Sequence, residues 1–265
     1  MDCNALTLVI PETGRRSLRR VWETVTDVPG IQTDFLPFQI SGEAYSLPRL
    51  SVRASRAADP IRLGIFAAIH GDEPAGALSV IQLMPELAQQ PEWASNYHVT
   101  AYPICNPTGF EDNTRVSRRG RDLNREFWKG SEEPEVRILE AELRGRHFHG
   151  LIQLHADDTS DGIYGFVRGH TLTENLLRPA LREAGKILPR NIRASIDGFA
   201  ARDGIISRHY DGVLAAPKEM EPEPFEIIFE TPQKAPLELQ VEAFLAALRT
   251  IMTEYVLLMS FQQDI

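Results

Sequence analysis

From Arg62 onward the chain alternates short apolar runs with amphipathic stretches, and this alternation narrows the possible folds more than any other feature. "IRLGIFAAI" reads as a buried strand, and "EPAGALSVIQLMPELAQQ" carries apolar residues at helical spacing with Pro74 near its start. "YHVTAYPICNPTG" is a strand closed by an Asn-Pro turn signal. "EEPEVRILEAELRGRH" is an amphipathic helix whose acidic first turn and basic last turn suit the helix dipole. Next come "FHGLIQLHADD" as a strand, "TLTENLLRPALREAGKIL" as a helix, "FEIIFETP" as a strand and "LELQVEAFLAALRTIMTEYVLLM" as a long closing helix. This order predicts an α/β fold: one mixed, mostly parallel, twisted sheet with helices on both faces. Residues 1–60 break the pattern. They offer a short helical piece around "RRSLRRVWETV" and then "LPFQISGEAYSLPRLSVRAS", in which a glycine divides two strand-like runs. The expected organisation is a single domain over 1–265, with 1–60 as an N-terminal extension or edge hairpin.

Composition removes several classes of function. With 43% hydrophobic and 25% charged residues, 265 residues can bury a substantial core. The balance of 28 Lys+Arg against 37 Asp+Glu leaves −9, so no polyanionic partner is favoured and no nucleic acid is expected. Two cysteines, Cys3 and Cys105, are too few for a disulfide scaffold or a Cys-rich zinc finger. The start "MDCNALTLVIPETGRR" lacks a basic segment followed by an apolar one, and no uninterrupted apolar run approaches the ~20 residues of a membrane span. A cytoplasmic protein without a membrane partner is the expectation.

In sheets of this kind ligands bind beyond the carboxyl ends of the strands. Four unusual polar groups fall there: His70 with Glu73, the segment 113–125, His155 and Glu230. In "FAAIHGDEPAG" a buried run ends in an imidazole followed three residues later by a carboxylate. Imidazole and carboxylate suit zinc, and a turn placing i and i+3 on one side can offer both to one ion. The same pair also fits a strand-terminal histidine with Asp72 or Glu73 serving the helix N-terminus. His155, ending "LIQLH", supplies a third group from a neighbouring strand, although a histidine there is commonly structural. His98, His147, His149, His170 and His209 follow no comparably buried strand. "NTRVSRRGRDLNREF" gathers Arg115, Arg118, Arg119, Arg121 and Arg125, interrupted by Asp122 and Glu126. It reads either as a solvated basic loop or as a source of guanidinium forks for a carboxylate. Glu230, closing a strand rich in Ile and Phe, is either the first exposed residue or a carboxylate whose setting suits it as a general base.

Taken in order, "HGDEP", "NPTG…TRVSRRGRDLNR", "LIQLHADD" and "FETP" resemble the zinc carboxypeptidase-like metallohydrolases over roughly residues 60–250. That superfamily contains metallocarboxypeptidases, peptidoglycan-peptide amidases and the succinylglutamate desuccinylase/aspartoacylase branch. The resemblance implies the carboxypeptidase-like (phosphorylase/hydrolase-like) fold and one zinc ion held by His70, Glu73 and His155. It implies Glu230 as the group that takes a proton from water and passes it to the leaving amine. Arg115 becomes the oxyanion arginine, with Arg118 as its competitor. Asn124 and Arg125 become the clamp for a substrate carboxylate, and Asp122 the orienter of His70. Segment 190–224, which sets side-chain preference in such peptidases and often carries a tyrosine, matches no motif; Tyr210 is its candidate.

The expected activity is zinc-dependent hydrolysis of an amide bond next to a free carboxylate, by a metallocarboxypeptidase or peptide amidase acting on small peptides. The alternative is an N-acyl amino acid deacylase. Members of that branch commonly carry a β-rich domain after the catalytic glutamate, whereas the 35 residues after Glu230 (265 − 230) read as one helix. A third reading is a non-catalytic metal- or ligand-binding protein on the same scaffold; the intact set of ligands and glutamate speaks against it.

Overall fold

The computed structural model of the protein describes residues 15–55, 58–89, 91–208, 210 and 214–263. Cys3 and His209 lie outside them. Among the described residues the main sheet has eight strands in the order β1-β2-β4-β3-β5-β10-β6-β9. These are β1 (Gln32–Ile40), β2 (Glu43–Arg53), β3 (Ile61–Ala67), β4 (Tyr97–Tyr102), β5 (Gly150–Asp157), β6 (Tyr164–Val167), β9 (Ile205–Ile206) and β10 (Phe225–Pro232). The centre, β4-β3-β5-β10, is parallel. At one edge β1 and β2 form an antiparallel hairpin turned at Ser41-Gly42, both with positive φ, and β2 runs antiparallel to β4. On the other side β10 pairs antiparallel with β6. A separate ribbon joins β7 (Ser195–Ile196) to β8 (Phe199–Ala200).

Helices cover both faces, as the alternation predicts. One face buries Leu63, Ile65, Ile152, Leu154, Ile227 and Phe229 against helices Pro74–Ala88 and Leu237–Gln263 and the segment 176–188. The opposite face buries Phe66, Tyr102 and Leu151 against Val136, Leu139 and Leu143 of helix Pro134–Arg146. Leu237–Ser260 is long and apolar enough to cross a bilayer by length and composition. Its Phe244, Leu248, Ile251 and Met252 are nevertheless fully enclosed in the core, which explains its apolar content. The helix expected over 171–188 is interrupted: Thr173–Leu177 is a π turn before helix Arg178–Ala184. Pro179 cannot donate a backbone N–H, which removes one bond of the ordinary ladder there.

The strand order sets up the site. Glu230 of β10 stands opposite His155 of β5, and Ala67 of β3 opposite Leu154. The carboxyl ends of β3, β5 and β10 therefore open on one rim. Just past β3 the chain leaves the sheet abruptly through Ala68, whose φ of 46 is in the left-handed region. An L-residue held there is strained, and such residues cluster at functional sites. Backbone bonds from Asn106 N to Ala68 O (3.0 Å) and from Cys105 N to Ala67 O (2.9 Å) hold the departure.

Candidate metal centre

Beyond Ala68 the turn His70–Glu73 leads into helix Pro74–Ala88, with Pro74 in its first turn. Glu73 occupies the N-cap position but its side chain caps nothing. Its carboxylate instead turns into the site, which decides against the helix-terminus reading of this residue. One oxygen lies 2.6 Å from His70 Nδ1; the other lies 3.2 Å from His155 Nδ1 and accepts the Ala156 N–H at 3.0 Å. The two Nδ1 atoms are 3.3 Å apart. All three side chains are buried, and their ligand atoms lie within 4.8 Å of one another.

Such a set makes poor sense as an ordinary hydrogen-bond network. Two imidazoles aim the same type of atom at one carboxylate and at each other, so at most a few protons satisfy several acceptors. Two ring nitrogens and a carboxylate oxygen converging from three sides is the donor set of a zinc site with one open position. The charges of the three groups act strongly on one another. Burial alone would raise Glu73, but the two histidines outweigh it and hold its carboxyl at about 2. Burial pushes His155 down, towards the neutral form in which imidazole binds metal. Burial also acts to lower His70, but the Glu73 charge and the Asp122 contact outweigh it and raise that histidine.

Asp122 caps the short 3-10 turn Leu123–Arg125 through its Oδ1, which accepts from Asn124 N. The same oxygen lies 3.4 Å from His70 Nε2, a buried nitrogen with no hydrogen bond of its own. Oδ2 accepts from Arg115 Nε and Nη2 at 3.2 and 3.1 Å. Against the effect of burial, His70 and the two arginines Arg115 and Arg125 keep Asp122 well below the usual carboxylate range.

A cavity of about 360 Å³ opens over the triad, lined by His70, Glu73, His155, Arg115, Asn124, Arg125, Tyr210 and Glu230, with Asp122 and Arg118 outside its lining. Arg115 reaches to 3.6 Å from Glu73 Oε1 while bonded to Asp122. Its competitor Arg118 faces away. Arg118 binds Asp112 (2.8 Å), Glu111 and the hairpin residues Glu43 and Tyr45, joining the 107–121 segment to the edge hairpin. Arg125 Nη2 donates to the Tyr210 hydroxyl at 3.1 Å, and its guanidinium stacks 4.9 Å from that ring. Asn124 is 4% exposed, and its Oδ1 accepts from Leu214 N at 2.9 Å. That oxygen thus ties down the 214 segment, leaving the amide nitrogen as the end that can serve a ligand. Glu230 lines the cavity beside His155. Burial first, then the charges of Glu73, Asp157 and Asp197, push its carboxyl well above the ordinary value.

The structure adds residues that sequence reasoning missed. Tyr164 stands opposite Glu230 on β6 and donates its hydroxyl to Asp157 Oδ2 at 2.8 Å. Asp197, in the β7–β8 turn, also lines the cavity. Asn106 braces the metal turn, its Nδ2 reaching Ile69 O and Arg115 O at 3.3 and 3.4 Å. The Asn-Pro turn signal closing "YHVTAYPICNPTG" fits Asn106, whose Oδ1 accepts from Gly109 N. Nothing local marked Tyr164 or Asp197.

Comparison with known proteins bears on this geometry. Residues 60–187 match the family model described as the succinylglutamate desuccinylase/aspartoacylase catalytic domain. No curated protein matches the sequence. Among solved structures, a candidate metallopeptidase from Shewanella amazonensis SB2B superposes with a TM-score of 0.75 at 23% identity, over 89% of this chain and 92% of the other. A metallo-carboxypeptidase from Pseudomonas aeruginosa gives 0.67 at 18% identity, over 91% and 72%. Thrombin activatable fibrinolysis inhibitor gives 0.66 at 16%, over 90% and 74%. At these identities the structures speak for the fold, which they share. With the catalytic-domain match, that shared fold bears out the likeness read from the motifs: the chain resembles the zinc carboxypeptidase-like metallohydrolase superfamily.

Proposed function

We propose that the protein is a zinc-dependent hydrolase that cleaves an amide bond next to a free carboxylate in small peptides. The observation that carries this reading is the convergence of His70, Glu73 and His155 on the floor of a cavity that also presents Glu230, Arg115 and Arg125. His70, Glu73 and His155 would hold one zinc. Bound there, zinc supplies Lewis-acid polarisation of the scissile carbonyl and makes water more acidic. Glu230 takes the proton of the attacking water on a carboxylate oxygen and delivers it to the leaving nitrogen. Its position next to His155 on the adjoining strand keeps it at the floor. Arg115 donates to the oxygen that becomes negative as the carbonyl carbon turns tetrahedral. Asp122 holds that guanidinium by two bonds and backs His70. Arg125 forks onto the substrate carboxylate, exchanging its Tyr210 bond for a charge-assisted one.

The complex of the Pseudomonas aeruginosa neighbour with (2-guanidinoethylmercapto)succinic acid supports a carboxylate-bearing ligand by analogy of fold. A second reading, N-acyl amino acid deacylation, is favoured by the family match over 60–187. Both readings share the metal, the base and the clamp, and they differ in the acyl side of the substrate. One experiment separates them: turnover of zinc-loaded protein on dipeptides and on N-acyl amino acids with the same carboxyl-side residue. Faster cleavage of dipeptides supports the peptidase reading, and faster cleavage of acylated amino acids the deacylase reading. Inactivity on both classes at full zinc occupancy would refute the hydrolase reading.

A further inference from the structure

Ser17 caps the short helix Leu18–Val25, its Oγ accepting from Arg20 N at 3.4 Å, and Val21 and Val25 are fully buried in the larger core. This anchors the chain just before the helix. Arg16 N donates to Glu111 O at 2.8 Å, and the Arg16 side chain runs inward until only 5% of the residue is exposed. Arginine is seldom buried without a specific partner. Here Nη1 donates to Gly71 O at 2.6 Å and also reaches Phe110 O at 3.4 Å, while Nη2 donates to Asn113 Oδ1. The guanidinium lies 4.9 Å from the Phe110 ring centroid.

Gly71 is the residue after His70 and two before Glu73. It packs backbone to backbone on helix Pro107–Asp112: a Cβ added at Gly71 would fall 1.9 Å from the Gly109 carbonyl carbon. Gly71 therefore has no room for a side chain, and its inward carbonyl depends on a donor from outside the turn. A buried carbonyl left without one is costly. Asn106 braces the turn at Ile69 and Arg16 at Gly71, on either side of His70.

We infer that Arg16 is a positioning residue for the metal site, its guanidinium fork fixing the His70–Glu73 turn from behind so that both ligands face His155. The inference rests on the metal reading above and extends it to a segment outside the 60–187 family match. It gives the N-terminal segment a part in the metal centre, through a residue that touches neither metal nor substrate.

The test is zinc affinity, measured by competition with a chromogenic chelator, alongside apo-protein melting. Arg16→Ala should bind zinc roughly tenfold or more weakly, in the range of lost outer partners of metal ligands. Millimolar guanidinium should restore part of the loss. Arg16→Lys keeps a charge and one donor but cannot span Gly71 and Asn113, so its affinity should fall between. Arg49→Ala serves as the stability control. It breaks the ion pairs of the edge hairpin with Asp34 and Glu142, away from the metal turn, and should melt earlier while binding zinc normally. Wild-type affinity in folded Arg16→Ala would overturn the inference. Should Arg16→Ala not fold, wild-type affinity in Arg16→Lys would overturn it equally, as would a matching zinc loss in Arg49→Ala. Wild-type protein that takes up no zinc would instead overturn the metal reading on which the inference stands.

Discussion

The floor and the roof of the cavity are made from different kinds of chain. The floor consists of strand ends and one braced turn: His70, Glu73 and His155 are each 4% exposed and each is held by a neighbouring element. The roof comes from residues 191–208 and Tyr210, where β7, β8 and β9 are two residues long each and Ile192 is 80% exposed. Tyr210 reaches the cavity from this segment by resting on Phe166 and Phe199, with ring centroids 5.5 and 5.3 Å away. Strand pairings only two residues long open locally at lower free energy than the long ladders of the central sheet. The division suits an enzyme whose chemistry needs fixed distances and whose substrate must enter and leave. On this view, substitutions in the floor should abolish metal or turnover, and substitutions in the roof should only retune recognition.

The largest effect should come from the floor. His155→Ala removes a ligand rather than an outer partner, so zinc affinity should drop by more than the ~10–100-fold typical of outer-shell losses. Elemental analysis after dialysis reads this directly; stoichiometric zinc in the variant would remove His155 from the site. Glu230→Gln follows. It keeps shape and discards the basic oxygen, so kcat should fall at least ~10²-fold with zinc content unchanged. Near-normal turnover in a folded, zinc-loaded variant would transfer the proton to another group and break the floor's claim to the chemistry.

Arg125 joins the two regions, since it belongs to the loop beside the floor and bonds the roof's Tyr210. Hydrogen bonds to charged groups contribute about 1.5–3 kcal/mol, so amidating the substrate carboxylate should lower kcat/KM roughly ten- to hundredfold. Arg125→Ala should lose a similar factor on the free acid and little more on the amide, because both changes delete one interaction. Additive losses would make Arg125 a structural tie and leave Arg115 as the carboxylate's partner. The smallest effect should belong to Tyr210→Phe. The ring keeps its place against the guanidinium and only the hydroxyl is lost, a change worth about 0.5–1.5 kcal/mol. That corresponds to a few-fold shift in kcat/KM, with zinc affinity unmoved. A loss as large as that of Glu230→Gln would erase the distinction between roof and floor.

The same division sets what the sequence made legible. His70, Glu73, His155 and Glu230 could be found because each interrupts the end of an apolar run, and strand ends in this architecture share one rim. The choice between Arg115 and Arg118 could not be made, because both sit in one loop of alternating charge. Their placement depends on Glu43 and Tyr45, more than 70 residues away, which draw Arg118 to the hairpin and leave Arg115 at the cavity. Asn124 was legible as a polar residue beside the site, but not its bond to Leu214 N, 90 residues further on. Tyr164 and Asp197 were invisible for a related reason. The first is one of four residues in a short strand, and the second sits in a turn whose position depends on how the roof folds over the sheet.

The register that sets Glu230 beside His155 also governs when the site comes into being. His70 and His155 are separated by 85 positions, and neither meets the other until β3 and β5 have paired in parallel. Glu230 arrives only when β10, from near the other end of the fold, adds to β5. Parallel pairing over such separations is slow, because loop-closure entropy is spent before any contact is gained. A chain still collapsing thus holds no converged set of ligands and offers zinc only scattered, solvated side chains. If the triad holds zinc as proposed, metal uptake would serve as a clock for folding: its rate should follow closure of the central sheet rather than the earlier growth of helices, with Glu230 added as the last strand docks.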